Sequence, residues 1–149
     1  MIGFLMNSVS NSPRNILAVK NINKLRNEGI ETCLFCDIVD HKFSVPVETN
    51  VLQKAQAFNF DGTLITHDLS AAQDLQNMVY AKKRYIYLYD LDWTLIEAPR
   101  FAHTHSLLLN EHIELIARSN SHYKIISDLF KKPARIMKYW DVEQLKELD

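Results

Sequence analysis

The sequence predicts an α/β fold, a three-layer Rossmann-like domain on a mostly parallel sheet of about six strands. Three observations predict it. Short runs of β-branched, aromatic and aliphatic residues alternate about six times with stretches of helical periodicity. Serines that open helices follow the ends of several of those runs, at Ser12, Ser70 and Ser119. The chain has only three glycines and four prolines, too few for long flexible linkers, and its 149 residues suit one domain over 1–149. The order of the strands cannot be read from the sequence.

The first strand covers 2–6 and runs into a polar loop, NSVSNS, at 7–12. Ser12 is the expected N-cap of a helix with Pro13 in its first turn. Ala18, Ile22 and Leu25 form its apolar stripe, and Gly29 ends it. A second strand spans 31–35, with Asp37 and His41 beyond its end. A short third strand is expected at 43–47, where Pro46 restricts it to an edge. Thr49 or Asn50 then caps a helix over 51–58. The fourth strand, 62–66, ends in His67 and Asp68. Ser70 and Gln73 have the spacing of a capping box, opening a helix to about 82.

The run at 84–89 is the next strand. An irregular stretch over 98–109 leads into a helix. Residues 112–117 form a strand, and Ser119 or Ser121 caps a helix through 130, with Ile126, Leu129 and Phe130 facing inward. A last strand at 134–139 precedes a closing helix at 141–148. Its Val142, Leu145 and Leu148 dock on the body or on a second copy.

Composition narrows the function. The net charge of −1 leaves no electrostatic footprint for nucleic acid or an anionic membrane. No apolar run has the length needed to span a bilayer. Residues 1–6 lack the basic region and cleavage site of a signal peptide. The two cysteines, Cys33 and Cys36, form a CxxC, but residues three apart on a strand point to opposite faces. A second cysteine pair for zinc is missing. The expectation is two core thiols in a reducing, cytoplasmic compartment. His103 and His105 fall where a helix is expected, so their rings do not converge on a metal.

The segment RYIYLYDLDW at 84–93 organises the candidate site. In an open α/β sheet, ligands bind beyond the carboxyl ends of the strands. Asp90, Asp92 and Trp93 lie there, as do His67 and Asp68. His67 is a candidate base for a sugar hydroxyl, with a side chain that titrates near neutral pH; Asp68 is a ligand contact or a helix cap. The first loop lacks GxGxxG, so NAD or FAD binding is not expected. Asn7, Ser8, Ser10, Asn11 and Ser12 either bind a hydroxylated or anionic ligand at the helix N-terminus or satisfy one another. Ser119 and Ser121 complete the candidates. Trp93 and Trp140, at strand ends, are platforms for a ligand or partner; aromatics inside the strand are core.

Three resemblances follow. YDLDWTLI resembles the first motif of haloacid-dehalogenase phosphatases, which implies Asp90 as nucleophile, Asp92 as general acid/base and a magnesium ion beside them. A DxD after an apolar strand is also similar to the manganese site of GT-A glycosyltransferases, where two carboxylates and the metal hold a sugar-nucleotide pyrophosphate. Alternatively, both carboxylates are structural. The wider layout resembles the N-terminal domain of GT-B glycosyltransferases: a polar first loop, a strand ending in THDLS, an aromatic strand, and HIELIARSNSHYKIISDLF leading to Tyr139-Trp140-Asp141. This resemblance covers nearly the whole chain. It implies binding of a nucleotide sugar or glycan acceptor, with His67 or Asp90 as base. In that family a second domain carries most of the nucleotide-sugar contacts. The resemblance therefore implies a half-enzyme that pairs with a partner subunit or a second copy, a lone acceptor module, or a relative with a new role. Compact genomes such as those of phages keep such pieces. A non-catalytic interaction module is the remaining alternative.

Overall fold

The apolar runs pair side by side, in register and in one direction. The computed structural model describes residues 1–148, apart from the side chains of residues 98 and 99. Its elements are β1 (Ile2–Leu5), β2 (Ser8–Val9), α1 (Pro13–Asn27), β3 (Thr32–Phe35), β4 (Ile38–Val39), β5 (Asn50–Leu52), β6 (Thr63–Thr66), α2 (Leu69–Leu75), β7 (Lys83–Leu88), α3 (Ala98–Leu108), β8 (Glu114–Ala117), α4 (Asn120–Leu129), β9 (Arg135–Ile136) and α5 (Val142–Lys146). Short 3-10 turns lie at Lys54–Asn59 and Asp92–Leu95. Seven strands form one sheet in the order β5-β3-β1-β6-β7-β8-β9, and every neighbouring pair is parallel. The fold class is as predicted, with one strand more than expected. From β1 the chain builds outward through β3 and β5. It then returns to the other side of β1 and builds β6 to β9. The order therefore reverses between β1 and β6, the place where such sheets open a crevice.

Successive residues of each strand serve opposite faces. Ile2, Phe4, Ile65, Tyr85, Tyr87 and Ile116 pack with Val19, Ile22 and Leu25 of α1 and Leu145 of α5. Leu5, Leu64, Ile86, Leu88 and Leu115 pack with Ala72 of α2, Leu107 of α3 and Ile126 of α4. Burial on both faces explains why the strands read as unbroken apolar runs. Cys33 and Cys36 fall in opposite cores, both as free thiols, as their strand spacing predicts. Gly3 of β1 is tightly enclosed by side chains of the neighbouring strands. A Cβ there would meet the Leu64 and Phe35 side chains at 2.8 Å.

Caps behave as their chemistry dictates. Ser12 accepts from the Asn15 amide at 3.1 Å, and Gly29 takes φ +88° just after α1. The helix after β6 is capped by Asp68, not by a Ser70 box, and stops at Leu75 instead of reaching 82. The expected strand at 43–47 and helix at 51–58 are replaced. Residues 43–47 are loop, and Asn50–Leu52 pairs with Cys33–Phe35. Open backbone groups at the edge of β3 capture the β-branched Val51 before a helix can form. The stretch at 98–109 is a regular helix. Leu129, expected inside, lies on the outer side of α4 at 54% exposure, while Phe130 packs inward on Trp93.

The chain after β9 departs most from expectation. The strand has only two residues, and beyond it Tyr139 and Trp140 both adopt left-handed backbone, φ 50° and 57°. Trp140 becomes fully buried, edge-on to Tyr87 at 4.9 Å. Asn21 holds the turn by donating to the Tyr139 carbonyl at 3.0 Å, and the Tyr87 hydroxyl donates to the Met137 carbonyl at 2.6 Å. α5 then docks on the body of its own chain, with Leu145 and Leu148 buried.

Candidate functional site

The sequence candidates lie along the carboxyl edge of the parallel sheet, because each follows its own strand: residues 7–12 after β1, 67–68 after β6, 90–93 after β7 and 119–121 after β8. They do not converge on one point. Three groupings divide them.

The first grouping closes the reversal point. Asp68 caps α2, accepting from the Ser70 amide at 2.9 Å, the Ser70 hydroxyl at 2.8 Å and the Ala71 amide. Its other oxygen accepts from the Asn7 amide at 3.4 Å. Burial pushes the Asp68 carboxyl up, but these hydrogen bonds outweigh it and hold it below the usual value. The Asn7 side-chain amide donates to the Ser70 hydroxyl, and its oxygen accepts from Lys54 at 2.8 Å. Lys54 also pairs with Asp74 at 3.0 Å and Asp37 at 3.6 Å. Burial opposes the charge on Lys54, and the acids together overcome it, raising its pKa.

The polar loop is engaged with its own surroundings. Ser8 and Val9 pair with Ile38 and Val39 as a two-stranded parallel ribbon. Asn11 donates to the Lys42 carbonyl at 2.6 Å and accepts from the Ser44 amide at 2.8 Å. Ser10 and the Ser8 carbonyl receive the Asn15 side-chain amide. Most of these partners lie outside 7–12, at Asn15, Ile38, Val39, Lys42 and Ser44.

His67 is only 4% exposed. Asn15 spends its amide nitrogen on Ser8, so its oxygen accepts from His67 Nε2 at 3.0 Å. The Trp140 ring lies edge-on at 5.4 Å. Burial first, then the Arg14 charge, push the imidazole down to about 3, with Asp68 opposing. A base for an outside hydroxyl needs an open ring nitrogen, and this one is enclosed. The expected role of His67 as base is corrected to that of a neutral core residue. Trp93 is corrected likewise. At 2% exposure it stands edge-on to Phe130 at 5.3 Å and offers no face to a ligand. Trp140 is enclosed too. All three rings sit on links between strand and helix, and burying them recovers more than exposure would.

The second grouping separates the two carboxylates of the DxD. Asp90 pairs with Arg118 at 3.1 Å, and Arg118 lies over the Tyr89 ring at 4.9 Å. Asp92 pairs with Arg14 from the first turn of α1. Asp92 also borders a cleft of about 430 Å³ walled by α2, the 3-10 turn and α3. Asp68, Ser70, Gln73, Glu97 and Arg100 supply its polar lining, and Leu69, Leu95 and Ile96 its apolar wall. A neighbouring hollow, bordered by His103, shares Ser70, Gln73 and Arg100 with it. Among the described residues, no group of three His, Cys, Asp or Glu side chains is placed to hold a metal ion.

The third grouping lies after β8. Ser119 caps α4 by accepting from the His122 amide at 3.3 Å, and its hydroxyl meets that of Ser121 at 3.0 Å. Arg118, Lys138 and Tyr139 border the same hollow.

Five cations, Arg14, Lys54, Arg100, Arg118 and Lys138, complete these groupings, and none is among the sequence candidates. Arg118 alone was accessible, since it directly follows a strand end. The others arrive from helices, a turn and the link after β9, whose placement depends on strand order. No known family, curated protein or solved structure matches the chain.

Proposed function

We propose that the chain is a glycosyltransferase-like domain that holds a hydroxyl-rich ligand, a glycan acceptor or the sugar of a nucleotide sugar, in the cleft between α2 and α3. The observation that carries this reading is the composition of the cleft beyond the carboxyl ends of β6 and β7. Asp92, Glu97, Gln73 and Arg100 present acceptors and planar paired donors around an apolar wall. Vicinal hydroxyls are both donors and acceptors, and such side chains answer both. A mostly apolar wall with a few placed polar groups is the usual form of a small-molecule site.

Glycosyl transfer asks for a base on the acceptor hydroxyl. Asp68, Asp92 and Glu97 border the cleft; Asp68 is committed to capping α2, which leaves Asp92 and Glu97 as base candidates, and such a base contributes about 10² to 10⁴ in rate. A partner subunit would supply the remaining donor contacts. The phosphatase reading gains no support from the pairing of Asp90 with Arg118 and of Asp92 with Arg14, which directs the two carboxylates to separate partners.

The test is thermal melting with uridine, guanosine and adenosine diphosphate sugars, each with and without magnesium or manganese. A ligand that binds only the native state raises the melting point by mass action. A shift with one nucleotide sugar, lost in Asp92→Asn, supports the reading. No shift with any of them, and none with free sugars, overturns it.

A further inference from the structure

We infer that Thr104 is the specificity-determining residue of the cleft between α2 and α3, and that the group it selects is one uncharged hydroxyl of the bound sugar. This rests on the reading of that cleft as a sugar site. Thr104 lies on α3 four residues after Arg100, so the two share a face of the helix. Both line the cleft, together with Ser70 and Gln73 of α2.

Thr104 is only 3% exposed, yet its hydroxyl is neither paired nor sealed. A threonine within a helix can donate to the carbonyl four residues back, here that of Arg100. Thr104 makes no such bond, and its hydroxyl has no hydrogen-bond partner among the described residues. The unpartnered side-chain atoms that are shut off from solvent belong, among the described residues, to His67, His122, Ser127, Arg135 and Trp140. The Thr104 hydroxyl is not one of them. It therefore keeps an opening, and the space that Thr104 lines is the cleft. A hydroxyl so enclosed and unpaired costs stability until a partner arrives. A ligand hydroxyl is such a partner, because it donates and accepts as threonine does.

The charges around the cleft determine the kind of partner. Asp68, Asp92 and Glu97 line it, with Arg100 as the cation among the lining residues. Arg14 pairs with Asp92 from outside that lining, and even with it the carboxylates outnumber the cations. That balance disfavours a phosphate beside Thr104. An uncharged hydroxyl meets no such opposition, and Leu69, Leu95 and Ile96 offer apolar surface to the C–H faces of a sugar. A site whose own polar group stays unpaired without the matching hydroxyl discriminates against an analogue that lacks it.

The experiment is an NMR titration of the full chain with glucose, galactose, mannose and N-acetylglucosamine, with their nucleotide diphosphate forms, and with uridine diphosphate alone. Melting curves accompany each variant. Saturable shifts at amides 69–73 and 100–104 are expected with one of the sugars, free or nucleotide-linked, and none there with uridine diphosphate alone. Thr104→Val keeps the β-branched shape and should weaken that sugar about tenfold. It should melt no lower than wild type, because it removes an unpaired hydroxyl. Thr104→Ser restores binding. One monodeoxy form of the sugar binds wild type and Thr104→Val alike. Wild-type affinity in Thr104→Val overturns the inference, and if Asp92→Asn still weakens binding the reading of the cleft survives. A lower melting point in Thr104→Val makes the hydroxyl structural and overturns the inference too, as do uridine diphosphate shifts at the same amides. No binding of any sugar by the wild type removes both.

Discussion

The backbone amide of Asn7, at the carboxyl end of β1, donates to the carboxylate of Asp68, at the carboxyl end of β6, across 3.4 Å. One side chain thus bridges the strands between which the sheet reverses its order, while its other oxygen caps α2. Asp68→Ala removes the cap and leaves the Asn7 amide without that acceptor. The expected loss is about 1–2 kcal/mol in urea denaturation. Asp68→Asn, which retains an acceptor oxygen, should lose less. Equal stability of Asp68→Ala and wild type would show the bridge to be incidental.

His67 predicts a pH dependence. Burial, with the Arg14 charge adding to it and Asp68 opposing, sets the folded pKa at about 3 against an ordinary 6.5. Between those values the unfolded chain binds a proton that the folded chain refuses. Stability is therefore complete above pH 6.5 and falls as pH drops toward 3, by up to about 1.4 kcal/mol per pH unit. The contribution of Asp68, whose pKa is lowered on folding, is lost only below its ordinary 3.8. His67→Gln should flatten the slope between pH 6.5 and 4. An unchanged slope would place the titrating group elsewhere.

In the proposed sugar cleft, Asp92→Asn and Arg100→Ala each remove one polar wall. Each should weaken nucleotide-sugar binding about tenfold, read from the ligand concentration that gives half the melting shift. The free protein should change by no more than about 1 kcal/mol, because the Arg14–Asp92 pair is a third exposed on its acid side, at 35%. Loss of stability without loss of binding would make these residues structural.

The sheet itself offers two controls away from any site. Trp140→Ala empties a fully buried position against Tyr87, Phe4 and His67 and should cost about 3–5 kcal/mol. Gly3→Ala places a methyl 2.8 Å from Leu64 and Phe35, and overpacking of this kind costs about 1–3 kcal/mol. Equilibrium urea curves measure both. A neutral Gly3→Ala would mean that β1 and its neighbours can separate by several tenths of an ångström.

Local chemistry alone determined the alternation of strand and helix, the Ser12 cap, the stop at Gly29 and the opposite-face burial of Cys33 and Cys36. These depend on residues adjacent in the chain, on dihedral preference and on the period of two along a strand. They were legible for that reason. The carboxyl-edge position of Asp68, Asp90, Asp92 and Ser119 was legible too, because each directly follows a strand. Tertiary structure decided the rest. Val51 became strand because the edge of β3 was free to pair with it. His67, Trp93 and Trp140 turned inward because covering helices closed over them. Asp90 and Asp92, two residues apart, were divided between Arg118 and Arg14 from distant segments. The physical reason is common to all of these. Pairing, burial and charge neutralisation depend on what lies opposite in space, and only the strand order β5-β3-β1-β6-β7-β8-β9 determines which residues those are.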